Sequence, residues 1–210
     1  MTTLNFNLNR SLFEKKDYDS KFVSVLQSLH HRFVNEGHYT CNIYNRNRLL
    51  KTINISVGKE NKALTNNLDI NEILRNRYDH YNLSTNNYFG FYVSDGFMQY
   101  SISIYSSKSK QEIEFDSSNL RMNDIFCVSF IKPGKYIVEN RLVSARMLVE
   151  VFPFDKRSVR PKKIEVKDKF ESERIELMQT ETLFFIVNNE KNNQIVVRYT
   201  DEQSDTKDSK

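Results

Sequence analysis

Phe33-Val-Asn-Glu-Gly37-His-Tyr39-Thr-Cys41 is echoed by Phe130-Ile-Lys-Pro-Gly134-Lys-Tyr136-Ile-Val138. Phe, Gly, Tyr and a small apolar residue recur at the same offsets in two widely separated places. One strand carries the Phe inward, a Gly turn reverses the chain, and the Tyr starts the return strand. Each copy is followed by an alternating run, ending near Val57 in the first and Val151 in the second. The echo therefore points to two sandwich modules, or to two equivalent hairpins in one large sandwich.

Runs of the same kind fill most of the chain. Tyr39 to Tyr44, Leu50 to Val57, Ile125 to Ile131, Met147 to Phe152, Thr182 to Val187 and Gln194 to Tyr199 are rich in Val, Ile, Phe and Tyr. Such residues suit a pleated, half-buried surface. Tyr88 to Val93 and Phe97 to Tyr105 flank Ser94-Asp95-Gly96, and Asp-Gly between β-rich runs is a strong hairpin signal. A hairpin is likewise expected across Lys132-Pro133-Gly134, and a last one joins the two C-terminal runs. Asp69, with Glu72 three residues on, has the form of a capping box. Ile70, Ile73, Leu74, Tyr78 and Tyr81 fall near one helical face, so a short helix is expected over 70–78. Residues 21–33 fit either a helical stripe (Phe22, Val25, Leu26, Leu29, Phe33) or a strand leading to Gly37. The echo favours the strand.

The expected fold is all-β: a β-sandwich in two modules, 1–105 with the short helix and 118–200, followed by a polar, disordered tail at 201–210. Phe130 to Val151 resembles the strand–turn–strand of cupredoxin-like and immunoglobulin-like sandwiches. A copper site of the first kind needs His and Cys ligands close together. The C-terminal strands carry neither, so no metal is expected.

Composition narrows the function. The chain has 210 residues, 39% hydrophobic and 12% aromatic, with 5 Gly and 3 Pro. That composition excludes a disordered or collagen-like chain. No stretch reads as a membrane helix. Asn interrupts each apolar pair of the N-terminus, Met1-Thr-Thr-Leu-Asn-Phe-Asn-Leu, so it does not read as a secretory signal. A cytoplasmic location with reduced Cys41 and Cys127 is the expectation. A net charge of +4 is too mild to name nucleic acid as a partner.

Catalytic motifs are scarce. Adjacent His30 and His31 on a strand point to opposite faces, which disfavours a shared metal ion, and with His38 they read as exposed strand-end residues. His80 reads as a surface or helix-end residue. There is no Gly-x-Ser-x-Gly elbow, and glycines at 37, 58, 90, 96 and 134 never cluster into a phosphate loop. Glu112 and Glu114 share a strand face, a spacing fit for acid–base work but commoner on a solvated face. The sharpest charge feature is the loop after Phe152 and Phe154, bounded by Pro153 and Pro161. Its Lys156, Arg157 and Arg160, with Lys162 and Lys163 just beyond, are the candidate contacts to an anionic partner. Glu165, Asp168, Glu171 and Glu173 follow at once, which argues against nucleic acid. The expected function is a non-catalytic protein that binds or assembles with other proteins, without cofactor. The alternative is an enzyme or small-ligand binder whose pocket comes from dispersed loop residues.

Overall fold

A computed structural model describes residues 10–59, 67–85, 87–108, 112–155 and 160–200. The tail expected at 201–210 lies outside them. After a 3-10 turn at Arg10–Glu14, the first half holds β1 (Asp17–Asp19), β2 (Gln27–Arg32), β3 (Gly37–Asn45), β4 (Arg48–Gly58), β5 (Asn67–Asp69), α1 (Ile70–Arg75), β6 (His80–Ser84), β7 (Tyr88–Tyr92) and β8 (Ser101–Ser106). The second holds β9 (Ile113–Asp116), β10 (Ile125–Ser129), β11 (Gly134–Asn140), β12 (Ala145–Phe152), β13 (Lys162–Val166), β14 (Arg174–Met178), β15 (Thr182–Val187) and β16 (Ile195–Thr200).

These strands form three sheets. One flanking sheet has the order β6-β4-β3-β8-β9, the other β14-β12-β11-β16-β1, and a six-stranded sheet runs β13-β15-β10-β2-β7-β5. The two flanking orders are the same order with one half's strands substituted for the other's. The six-stranded sheet reads identically from either end. Its middle pair, β2 and β10, is antiparallel, with Leu29 opposite Phe126, His30 opposite Ile125 and Ser28 opposite Cys127. Exchanging the halves maps this register onto itself, so a pseudo-two-fold axis passes between Leu29 and Phe126.

The echo therefore marks a true structural repeat. Phe33 and Phe130 are both fully buried. The corner tyrosine packs on each, at 4.6 Å for Phe33–Tyr39 and 4.9 Å for Phe130–Tyr136. Each tyrosine hydroxyl donates to the carbonyl four residues back, Tyr39 to Asn35 at 3.0 Å and Tyr136 to Lys132 at 2.8 Å. The repeat also reaches upstream. Asp19-Ser20 and Asp116-Ser117 occupy equivalent places: Ser20 Oγ accepts from Ile195 N–H and Ser117 Oγ from Ile102 N–H, both at 3.0 Å. Leu26 (φ 66°) and Asn123 (φ 72°) then take the same left-handed position. Asn tolerates it; Leu costs about 1–2 kcal/mol there.

Each half lends its first strand to the other. β1 pairs with β16 and β9 with β8, so each flanking sheet ends on a strand from the opposite half. One apolar core runs through both halves. Phe91 and His31 of the shared sheet meet Phe115 of one flanking sheet, and Tyr18 of the other meets Phe130.

This corrects several expectations. The all-β class and the single short helix are present, but the two self-contained sandwiches are replaced by three sheets in a repeat architecture whose middle sheet belongs to both halves. The expected hairpins at Asp95-Gly96, at Lys132-Pro133-Gly134 and between β15 and β16 are crossovers between sheets: β7, β10 and β15 lie in the shared sheet, while β8, β11 and β16 lie in flanking ones. Gly96 does take a positive φ, 93°. The helix is capped by Asp69, whose carboxylate accepts from Asn71 N–H at 3.0 Å, but it stops at Arg75. Tyr78 is exposed and Tyr81 joins β6, because the chain must extend there to pair with β4. Residues 27–32 are strand, as the echo favoured.

Candidate functional site

Strand alternation gives the shared sheet two unlike faces. Leu29, His31, Phe89, Phe91, Phe126, Val128 and Phe185 point into the core and are buried. On the outer face, registers align Lys163, Phe184, Cys127, Ser28 and Tyr92 in one row across five strands. Ile186, Ile125, His30 and Gly90 form the next row. Phe184, Ile186 and Ile125 are half-buried, and Tyr92 is 38% exposed. A shallow groove of about 340 Å³ crosses this face, lined by Leu26, Ser28, His30, Tyr92, Ser129 and Phe184. It straddles the junction of the halves.

Ser28, His30 and Cys127 lie together on the lining of the groove. His30 exchanges a 2.9 Å hydrogen bond with Ser28 Oγ. Burial holds its pKa below the ordinary value, so the ring is neutral near pH 7. The ring lies over Gly90, where a Cβ would come within 2.6 Å of it; that glycine is there for close approach. Among the described residues, no hydrogen bond orients the other ring nitrogen of His30, so the Ser–His pair lacks the third group of a triad. Burial pushes the Cys127 thiol up to about 12, which removes the thiolate a nucleophile needs.

The basic segment is split by the structure. Lys156 and Arg157 lie outside the described residues. Arg160 is exposed, and its backbone N–H donates to Glu181 Oε1 at 3.2 Å. Lys162 turns away to donate to the Glu176 carbonyl of β14. Together with Glu181, which takes the Met178 N–H at 2.8 Å, it covers hydrogen-bonding groups of that outermost strand. Lys163 alone lands on the outer face, beside Phe184. Among the described residues, the side chains of Arg160 and Lys163 have no ion-pair partner.

The histidine reading needs correction. His38 and His80 are exposed, but His31 is buried at 8% exposure. Its Nδ1 is 2.7 Å from Asp124 Oδ1 and its Nε2 is 3.6 Å from Glu114 Oε1. The second is a charge contact, too long for a hydrogen bond. Burial works against the imidazolium, but Asp124 and Glu114 outweigh it and raise the pKa. His31 thus ties β2 to β9 and to the turn before β10. The signal was present in the echo, where His31 occupies the place of buried Val128. Among the described residues no group of three His, Cys, Asp or Glu could hold a metal ion, and no helix is long and apolar enough to cross a membrane.

Comparison with known protein families, with curated proteins and with solved structures finds no match for this chain.

Proposed function

We propose that the protein is a non-catalytic module that binds another protein through the outer face of the shared sheet, and that the bound segment is acidic with an apolar side chain. The observation that carries this is the row Lys163–Phe184–Cys127–Ser28–Tyr92. It sets half-buried Phe184 beside an ammonium group that has no ion-pair partner among the described residues, with exposed Tyr92 at the far end of the row, on a face that no described element covers. Exposed Arg160 lies two residues before β13. Of the carboxylates on this face, Glu165 is paired with Lys167 at 2.8 Å and Asp69, in register with Tyr92, is buried and takes the Asn71 N–H, which leaves positive charge at the Lys163 end for a partner.

Quantitative capture from the native source, comparing wild type with Phe184→Asp and Lys163→Glu at low and high salt, tests the reading. Partners held by wild type are expected to be lost from Phe184→Asp. Lys163→Glu should weaken capture most at low salt, because screening shortens to about 8 Å at physiological ionic strength. Equal capture by all three proteins, with circular dichroism unchanged, refutes the reading. A dimer in solution abolished by Phe184→Asp would place a second copy on the face instead.

A further inference from the structure

The repeat provides an internal comparison where each corner tyrosine meets the last strand of its half. In the second half, Tyr199 lies in register with Tyr136 and sets its ring against it, 5.2 Å between centroids and nearly perpendicular at 78°. The same ring covers Gly134 so closely that a Cβ there would sit 2.4 Å from it. The ammonium groups of Lys132 and Lys16 stand over Tyr199 at 4.1 and 5.2 Å. This corner is filled by a phenol ring and by cations, all from its own chain.

The first half has the same tyrosine but a different filling. Ser106 stands in register with Tyr39, where the other half has Tyr199. Without that ring a cavity of about 300 Å³ opens, lined by Gly37, Tyr39, Ser106, Lys108, Glu112 and Glu114 among others. The strand lent by the opposite half also changes charge. Lys15-Lys16-Asp17 of the second corner is matched here by Glu112-Ile113-Glu114. Among the described residues Glu112 has no ion-pair partner. The Tyr39 hydroxyl is pushed up to about 12, by burial and then by the charges of Glu114 and Glu112, so both carboxylates act on this corner. His31, with its side chain nine-tenths buried, holds Nε2 3.6 Å from Glu114 and has no hydrogen-bond partner for it among the described residues. Of the nearby countercharges, Lys108 on the lining is exposed, and Lys59 pairs with Glu36 at 3.4 Å.

We infer that this cavity binds an organic cation from outside the chain, a primary ammonium or guanidinium group on an aromatic or apolar stem. The cation sits by Glu112 and Glu114. The stem lies over Gly37 against Tyr39, as Tyr199 lies over Gly134 against Tyr136. A volume of about 300 Å³ is at the small end of ligand sites and holds a ligand the size of one amino acid. The inference rests on a different surface from the outer face of the shared sheet, so either can fail alone.

The test is calorimetric titration of the whole protein with tyramine and agmatine, with neutral tyrosol as the uncharged match for tyramine, and with a blocked Arg-Tyr dipeptide. Saturable binding of tyramine or agmatine assigns a free amine, and saturable binding of the dipeptide alone assigns a basic side chain of a partner. Either supports the site. Glu112→Gln should weaken binding about tenfold, the loss of one charge-assisted contact. Ser106→Tyr, which restores the filling of the other corner, should abolish it. Gly37→Ala, which adds one methyl beside Tyr39, should weaken it and serves if Ser106→Tyr does not fold. No saturable binding of any cation, equal binding of tyrosol and tyramine, or binding unchanged by Glu112→Gln would overturn the inference.

Discussion

Replacing Gly134 with alanine should cost far more than the same change at Gly37, its counterpart in the repeat. Gly134 has φ 138°, a conformation essentially reserved for glycine, and holding alanine in it costs about 1–3 kcal/mol. The new Cβ would meet Tyr199 Cε2 at 2.4 Å and its hydroxyl oxygen at 2.8 Å, so the ring must move. Moving it loosens the edge contact with Tyr136, worth about 0.5–1.5 kcal/mol, and the Lys132 contact, worth about 0.5–1 kcal/mol. The expected total is about 2–5.5 kcal/mol. At Gly37 the φ is not in the positive range, and the nearest atom to a Cβ, on the Tyr39 ring, is 3.6 Å away, an ordinary contact. Gly37→Ala should stay within about 1 kcal/mol of wild type. Urea unfolding read by far-ultraviolet circular dichroism and tyrosine fluorescence measures both. Adding Tyr199→Ser should reduce the Gly134→Ala cost to its backbone part. Equal midpoints for the two alanine variants, or no relief from Tyr199→Ser, would refute the reasoning.

Three further outcomes are expected. Tyr39→Phe and Tyr136→Phe each remove a donor to a backbone carbonyl and should cost a similar amount, about 1 kcal/mol; a large difference in urea midpoint would separate the two corners. The His31 pKa is raised by Asp124 and Glu114 against the cost of burial, so its stabilising effect is full below the ordinary histidine value of about 6.5 and lost as pH rises through the folded value. The stability gap between wild type and His31→Asn should narrow from pH 6 to pH 9, and a constant gap would contradict the charge contacts. Cys41 and Cys127 are free and buried, and burial raises both thiol pKa values. A thiol reagent should label neither in the folded protein and both in urea; rapid labelling of the folded protein would place a thiol at the surface.

The repeat was legible because Phe33, Gly37 and Tyr39 do the same work as Phe130, Gly134 and Tyr136. Each triplet puts an aromatic in the core, turns, and locks the turn with a tyrosine hydroxyl. The equivalence of Asp19-Ser20 with Asp116-Ser117 went unseen, since two polar residues carry no hydrophobic period. Asp95-Gly96 shows why the sheets were misassigned. Its turn chemistry specifies a reversal, but whether the next strand pairs with the last or crosses to a facing sheet depends on distant partners, here Cys41 opposite Ile104. Glu112 and Glu114 share a face, as their spacing implied. Their reading as a solvated face failed to foresee a cavity, because that depends on Ser106 standing where the other half has Tyr199. Among the basic residues, alternation separates Lys162 from Lys163 and sends only the second to the outer face.

Hydrogen exchange in paired variants of the lent strands tests the central structural claim most directly. Ser20 caps Ile195 and Ser117 caps Ile102, while Tyr18 and Phe115 fill the core beside them. Tyr18→Ala with Ser20→Ala should speed amide exchange in 195–200, at the far end of the chain, and leave 101–106 protected. Phe115→Ala with Ser117→Ala should do the reverse. Exchange that loosens 101–106 in the first variant, or leaves both strands protected in both variants, would contradict a fold in which each half is completed by the first strand of the other.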